Sequence, residues 1–513
     1  MRRIRKKEHE KLHPIMTYVI LIVVVMLVSS FLNILDVQST YYTVNSSNMS
    51  LVPETETVTS LFSLKGLKYI FTNTVSNFAN FTVLSNLLIV LMGISIMDKS
   101  GFLQTAITLA TKRLKKKTVT FTFTFICVLS SIIGDLSYLI LIPLGALLFY
   151  YGKRNPAIGI ISSFAALSCG SGLNILFTSI DSAILQSTQL ITNVVQPNYD
   201  ILNLSFILIM GVASVIVSFI ITLVTENYLV TKVDKYEFTE TELEEDIVTK
   251  NEEKGIIYAI FAGLVYLAIF AYNIIPNLPF SGALLDNTQI NYIDKLFGVN
   301  SYFSNGFVFI VTMLFIILGL FYGIGSKSIK NHKDFCNSLG HSLDGMGNVL
   351  VMIFFASTFI SVFKESNIGN TFVSTIGNLI ANSNISGIAL IIVVFLVVAV
   401  SSILVPSSTI KWSILSTSLV PTMMTSGLTP EFIQIIYKFA ETSTMNITPL
   451  LAYFIVYLGF LEKYNQSDKK IRLIDALKFQ LPYTICVVLV LLTIIVVWYI
   501  IGMPLGVNAF PTI

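Results

Sequence analysis

Charged residues are scarce in this chain: they make up 12% of its 513 residues, whereas soluble proteins carry about 25%. Hydrophobic residues account for 54%, and several apolar runs exceed the roughly 20 residues that a helix needs to cross a bilayer. The sequence therefore predicts an all-α polytopic membrane protein in a lipid bilayer, not a soluble domain. A net charge of +3 is too small to indicate a nucleic-acid partner.

Cysteine and histidine are also rare, with four residues of each type. The cysteines form no CxxC pair and the histidines form no ligand cluster, so we expect neither a disulfide framework nor a metal centre. The sequence has no GxxxxGK[ST] phosphate loop, which argues against ATP-driven pumping, and no Ser/His/Asp arrangement stands out. We therefore do not expect an enzyme, and we expect no cofactor other than Na⁺ or H⁺ as a coupling ion.

Two short polar-interrupted segments resemble each other, LSSIIGD at 129–135 and VSSILVP at 400–406. A second pair follows them, at 160–168 and 435–443, and is identical at five of nine positions. One such match can arise by chance in a chain rich in Ile and Ser, but two in the same order favour a repeat. In membrane proteins, duplicated interrupted segments indicate a transporter's binding site, because unwound backbone at membrane depth must line protein or water.

The basic residues predict the topology, because Lys and Arg concentrate in cytoplasmic loops. Residues 118–152 lie between two basic clusters and are too few for two full spans, which favours a re-entrant hairpin over a pair of short spans. The pattern indicates a multi-pass plasma (inner) membrane protein with a cytoplasmic N-terminus. The basic clusters lie at 2–7, 112–117, 153–154, 327–333 and 469–472.

The predicted organisation has nine transmembrane helices plus two re-entrant hairpins in an inverted repeat, with two broken helices. The hairpins are expected to enter from opposite faces, as in many secondary transporters. The predicted segments are the basic N-terminus and first span (1–36), a first repeat (77–232) with a hairpin at 118–152 and a broken span at 157–180, a charged cytoplasmic linker (233–255), a second half (256–460) with a hairpin at 386–426 and a broken span at 430–460, and a last span (480–502).

Ionisable residues inside predicted spans are costly there and are candidate binding groups. Asp135 lies at the first hairpin tip, and Asp181 lies either in the membrane core or at the outer boundary. Lys411 lies in the second hairpin. Lys438 and Glu441 are three residues apart on one helix face, so they either neutralise each other or face a substrate. The hydroxyl groups at the tips fit sodium, whereas the carboxylates fit protons; these hydroxyls belong to Ser130, Ser131, Ser407, Ser408 and Thr409.

Polar and helix-breaking residues surround these charges. Asn446 and Pro449 follow Glu441, and Asn174 ends the matching stretch of the first half, 168–174. In that stretch two glycines allow either unusual backbone conformations or close helix packing. Pro430 follows Thr429, as expected at the start of a helix. Trp412 beside the second tip is either an interfacial anchor or a ring that meets substrate.

Four motifs resemble those of the aminobenzoyl-glutamate transporter (AbgT) family: DLSYLILIP at 135–143, NILFTSID at 174–181, KW at 411–412 and ITPL at 447–450. The resemblance implies a homodimer whose subunits each have nine spans and two hairpins. It also implies secondary transport of p-aminobenzoyl-glutamate or export of sulfonamide-type antimetabolites. By position, residues that match those important for transport in the family are Asp181, Trp412, Pro430 and Pro449.

Three positions depart from the family pattern: Thr409 replaces an expected Ser, Lys438 an Arg and Glu441 an Asp, while Asn446 lies one place late. Lys lacks the planar fork with which Arg binds a carboxylate, so the departures bear on substrate identity. The leading hypothesis is an ion-gradient-driven secondary transporter of a small organic anion, with Lys438 attracting a carboxylate and Trp412 meeting a ring. The alternatives are a sodium-coupled carboxylate transporter with another substrate, a passive channel and a non-transporting membrane scaffold.

Overall fold

The computed structural model describes residues 12–45, 50–175, 178–233, 248–298, 300–465 and 471–513. The basic N-terminal cluster, most of the charged linker predicted at 233–255 and part of the last basic cluster lie outside these ranges.

The first half of the described chain contains ten helices and a β-hairpin. Short 3₁₀ turns at Ser130–Ile133 and Asn203–Phe206 and a π-helical turn at Thr225–Leu229 join some of the helices. The elements are α1 (Pro14–Ile34), β1 (Gln38–Asn45), β2 (Ser50–Thr57), α2 (Leu64–Ala79), α3 (Thr82–Lys99), α4 (Phe102–Thr111), α5 (Lys116–Leu129), α6 (Leu136–Tyr151), α7 (Pro156–Gly170), α8 (Ser179–Val195), α9 (Ile207–Val224) and α10 (Val230–Val233).

The second half contains eleven further helices, with 3₁₀ turns at His341–Leu343 and Met445–Ile447. They are α11 (Lys250–Ile274), α12 (Tyr292–Phe297), α13 (Tyr302–Ser326), α14 (His332–Gly340), α15 (Gly347–Glu365), α16 (Ile368–Ala381), α17 (Gly387–Leu404), α18 (Ser408–Thr425), α19 (Pro430–Thr442), α20 (Phe454–Tyr464) and α21 (Leu473–Ile501).

The prediction of a helical, multi-pass membrane protein is confirmed. Among the described residues, nine helical segments are long and apolar enough to cross a membrane. The number equals the predicted one, but its members differ. Each predicted hairpin forms a helix-turn-helix segment, α5 with α6 and α17 with α18. The first arms of these two segments, 116–133 and 387–404, are among the nine. The predicted broken spans at 157–180 and 430–460 are not, because their interruptions leave each helical piece too short to cross alone.

The β-hairpin of β1 and β2 was not predicted, because the segment 37–76 was interpreted only as an outer loop. Its strands pair antiparallel, from Gln38 opposite Thr57 to Asn45 opposite Ser50. β1 packs against α16 and α18. Asn378 on α16 donates to the carbonyl oxygen of Thr40 at 2.7 Å, which ties the hairpin to the second half of the chain.

The two interrupted spans lie at the centre of the protein. Every residue of α7 and every residue of α19 is buried. A helix that is buried on all sides can hold charged side chains inside a membrane protein only if neighbouring elements supply partners for them. The polar and charged side chains of α19 therefore face other parts of the protein and an internal cavity, not lipid.

The first helix-turn-helix segment consists of α5, its 3₁₀ turn and α6. The turn ends at Gly134, whose positive φ of 58° is a conformation that glycine adopts without strain. The second arm, α6, crosses α7 at very short range. A Cβ added at Gly145 would lie 2.9 Å from the carbonyl oxygen of Gly159, and one added at Gly159 would overlap the Gly145 carbonyl.

We expect Gly159→Ala to lower the free energy of unfolding by about 1–3 kcal/mol, because the new methyl group forces α6 and α7 apart. Gly211→Ala on α9 is the matched control, since no neighbouring atom lies within 4 Å of a Cβ at that position. There Ala should leave stability unchanged or raise it. Thermal unfolding in detergent checks both variants, and equal midpoints for the two would contradict the close crossing.

Candidate functional site

A cavity of about 1780 Å³ lies where the two helix-turn-helix tips meet the two interrupted spans. Segments from both halves of the chain line it, as expected if the interruptions mark one site. We define its deep part by the buried charged residues Asp181, Lys438 and Glu441, and its mouth by the exposed lining residues, which are Asn80, Asp135, Leu202, Phe297 and Lys364.

The first interrupted span ends α7 at Gly170 and resumes as α8 at Ser179. The two glycines of this stretch, Gly170 and Gly172, let neighbouring helices pack closely against it. A Cβ at Gly170 would lie 2.8 Å from the Cα of Val128, and one at Gly172 would lie 3.0 Å from the carbonyl oxygen of Lys438. Neither glycine has a positive φ. Of the two interpretations left open by the sequence, the structure supports packing.

Asp181 connects the first interruption to α19. It is 3% exposed and lies in the first turn of α8, where it forms a capping box with Thr178. Its Oδ2 accepts hydrogen bonds from Thr178 Oγ1 (2.7 Å), Thr178 N (2.9 Å) and Asn174 Nδ2 (2.9 Å). Its Oδ1 is ion-paired with the ammonium group of Lys438. Asp181 is therefore a helix cap and a counterion at once.

Glu441, one turn after Lys438, pairs with a different lysine. The ammonium group of Lys411 on α18 donates to Glu441 Oε1 at 2.7 Å, to Ser402 Oγ at 2.8 Å and to the Val405 carbonyl oxygen at 3.2 Å. Lys411 is fully buried. A buried ion pair is held only when further hydrogen bonds complete it, and these contacts supply them.

The possibility that Lys438 and Glu441 neutralise each other is wrong. Both lie on the same face of α19, as their spacing predicts, but elements on either side of α19 provide closer partners. Asp181 of α8 forms an ion pair with Lys438, and Lys411 of α18 forms one with Glu441. Lys411 was a candidate from its position in the predicted hairpin, but its partner could not be predicted, because residues 30 positions apart on separate helices carry no local pairing signal.

Trp412 does not line the cavity. Its side chain is fully buried, and its ring centroid lies 4.3 Å from that of Tyr437. The indole Nε1 donates to Thr188 Oγ1 at 3.0 Å, and that hydroxyl donates to Gln434 Oε1, also at 3.0 Å. Trp412 thus ties α18 to α8 and α19 from behind the lining.

The two tips contribute differently to the cavity. From the first tip, Ser131 and Asp135 line it, and Tyr453 of the second interruption lines it as well. Ser130 donates to the Cys127 carbonyl oxygen at 2.7 Å and caps its own helix. From the second tip, residues 404–410 line it, and the hydroxyl-bearing ones are Ser407, Ser408 and Thr409.

The remaining candidates lie behind the described lining. Pro430 is the first residue of α19, and the side chain of Thr429 caps that helix. Asn446 donates to the carbonyl oxygen of Gln480 at 3.2 Å and accepts from Thr484 at 2.8 Å, which joins the second interruption to α21. Pro449 lies within that interruption, after the 3₁₀ turn. Among the described residues, no group of three His, Cys, Asp or Glu side chains is arranged to hold a metal ion.

Sequence comparison identifies the family. The family described as the AbgT putative transporter family matches residues 3–513. The chain belongs to this family. The p-aminobenzoyl-glutamate transport protein of Escherichia coli (strain K12) is 24% identical over 499 residues, which cover 97% of this chain and 94% of that protein. The resemblance found in the sequence motifs is therefore confirmed: this is a membrane transporter of the AbgT family.

Two solved structures are similar to this AbgT-family chain. The YdaH transporter of Alcanivorax borkumensis is 26% identical, with a TM-score of 0.48, and the match covers 96% of this chain and 100% of that one. MtrF of Neisseria gonorrhoeae, described as illuminating a class of antimetabolite efflux pumps, is 25% identical with a TM-score of 0.48, and the match covers 98% of each chain.

Proposed function

We propose that this AbgT-family protein is a secondary active transporter that moves a small organic anion through the central cavity by alternating access. The observation that carries the proposal is the pair of buried ion pairs at the cavity, Asp181–Lys438 and Lys411–Glu441. The first joins the two halves of the chain, and the second joins the second tip to α19. Movement of α8 against α19 must therefore break or exchange the first pair, and movement of α18 against α19 must do the same to the second.

The substrate class is an aminobenzoyl amino acid or a sulfonamide-type antimetabolite. The name of the Escherichia coli relative and the description of MtrF support this class. The cavity, at about 1780 Å³, exceeds the 300–1,000 Å³ typical of sites for drug-sized ligands. Its lining combines apolar side chains with a few charged and amide groups, as such ligands require. In the membrane, the sign of the ion gradient would decide between uptake and efflux.

We propose protons as the coupling ion. Glu441 Oε1, Ser402 Oγ and the Val405 carbonyl oxygen form an oxygen cluster at the second tip, of the kind that binds sodium in other transporters. The ammonium group of Lys411 already occupies its centre. Gain and loss of a proton by the Lys411–Glu441 pair changes the charge at this point without any added metal ion.

The protein is further proposed to be a homodimer in the plasma (inner) membrane, with its N-terminus in the cytoplasm. The distribution of basic clusters supports the orientation. The family resemblance supports the dimer.

Transport in proteoliposomes tests this function. We expect labelled p-aminobenzoyl-glutamate to accumulate above its equilibrium level under an imposed proton gradient in sodium-free buffer, and a protonophore to abolish the accumulation. A labelled sulfonamide serves as the second substrate, and protein-free liposomes serve as the control. Accumulation only under a sodium gradient would contradict proton coupling. Equilibration without accumulation under either gradient would indicate a passive channel.

A further inference from the structure

The deep part of the cavity offers no free cation among the described residues. The ammonium group of Lys438 is paired with Asp181, and that of Lys411 with Glu441. The third carboxylate of the lining, that of Asp135, is exposed and lies outside this deep part. The two buried ammonium groups are thus already neutralised by the two buried carboxylates, so an anionic group brought to this depth finds no unpaired positive charge.

Lys364, in the last turn of α15, is the cation at the mouth. It is exposed and lines the cavity, and it forms no ion pair with any residue in the described part of the chain. Asn367 and Asn370, three and six positions further along the chain, also line the cavity, and their side-chain amides make no hydrogen bond to other described residues. Asn367 has a φ of 56°, a left-handed conformation that Asn tolerates, and it turns the chain from α15 into α16.

The deep part of the cavity offers a hydrogen-bond acceptor, whereas the mouth offers a cation. Asn174 donates its Nδ2 to Asp181, while its Oδ1 is buried and has no hydrogen-bond partner. A buried carbonyl oxygen without a donor is costly, so an N–H group of a ligand that reached it would relieve that cost. Asn174 lines the cavity, but its Oδ1 has almost no exposed surface in this conformation, so a ligand N–H group reaches that oxygen only when the side chain turns toward the cavity.

We propose that Lys364, Asn367 and Asn370 form a carboxylate-binding subsite at the mouth of the cavity. An anion that also carries an amine or amide binds with its carboxylate toward this subsite and its N–H groups toward Asn174. The inference rests on the proposed function for the identity of the ligand. It reverses the expectation that Lys438 attracts the carboxylate, because that ammonium group already has a counterion.

Binding and transport of two ligands by three proteins test this subsite. The ligands are p-aminobenzoyl-glutamate and its uncharged diamide, and the proteins are wild type, Lys364→Met and Lys68→Met. Lys68 is the matched control, since it is an exposed lysine on α2 that does not line the cavity. Kd comes from calorimetry in lipid nanodiscs, and KM and kcat come from proteoliposomes.

We expect Lys364→Met to raise Kd and KM for the diacid about tenfold, as loss of one charge-assisted hydrogen bond does, with kcat little changed. The diamide should bind wild type and Lys364→Met equally, and Lys68→Met should match wild type with both ligands. Binding of the diacid by Lys364→Met at wild-type strength would overturn the subsite while leaving transport by wild type intact.

The subsite and the proposed function fail in different ways. Wild type that binds the diacid in a Lys364-dependent manner but accumulates nothing would overturn transport and keep the subsite. Wild type that transports the diacid and binds the diamide as tightly would overturn the subsite and keep transport. Absence of both binding and accumulation in wild type would overturn both.

Discussion

Asp181→Asn is expected to abolish transport and to lower the free energy of unfolding by about 3–5 kcal/mol, because it leaves the Lys438 ammonium group buried without a counterion. Asp181 and Lys438 are 3% and 5% exposed, so water cannot replace the lost carboxylate in this conformation. Asn keeps one side-chain oxygen that can accept the hydrogen bonds of the α8 capping box, but it offers no negative charge to Lys438. Unfolding in detergent and uptake in proteoliposomes measure the two effects.

The double variant Asp181→Asn with Lys438→Met separates the two effects. It removes both charges, so we expect most of the lost stability to return while transport stays absent. Glu54→Gln in the exposed β-hairpin is the control, with an expected change within about 0.5 kcal/mol. Recovery of transport in the double variant would show that the pair is only structural.

Lys411→Met is the second change with a large expected effect. It leaves Glu441 buried and unpaired and deprives Ser402 and Val405 of their shared donor. We expect a loss of about 3–5 kcal/mol in stability and no proton-driven accumulation. The measurements are the unfolding midpoint and the initial rate of uptake at several imposed pH differences.

A second substitution again distinguishes folding from coupling. Lys411→Met with Glu441→Gln removes the unpaired charge and should restore stability. Any substrate flux that remains should then be independent of the pH difference across the membrane. Accumulation by this double variant that still rises with the proton gradient would contradict the role assigned to the Lys411–Glu441 pair.

The sequence was sufficient for features that have local signals. Long apolar runs predicted the helices. Polar interruptions at Ser130 and Ser407 fall at the turns between α5 and α6 and between α17 and α18. Glycine and hydroxyl residues after Gly170, and the polar run before Pro449, coincide with the two helix interruptions. In each case the residues that interrupt the helix are the same polar, glycine or proline residues that interrupt the apolar run in the sequence.

The contacts within the site could not be predicted, because they join residues far apart in the chain. Lys438 and Asp181 are separated by 257 positions, and Trp412 and Thr188 by 224. Composition and spacing marked these residues as unusual for a membrane span, but only packing decides which helix faces which. Trp412 shows the consequence: a residue suited to meet an aromatic substrate lies buried behind the cavity lining.

The central claim is that the Asp181–Lys438 pair lies at the site of ion-driven transport of an organic anion. Accumulation of labelled p-aminobenzoyl-glutamate, compared between wild type and Asp181→Asn in proteoliposomes under one imposed proton gradient, tests it most directly. We expect wild type to concentrate the label inside and the variant, reconstituted in equal amount, to remain at the level of protein-free liposomes. Equal accumulation by the two proteins, or none by wild type, would contradict the claim.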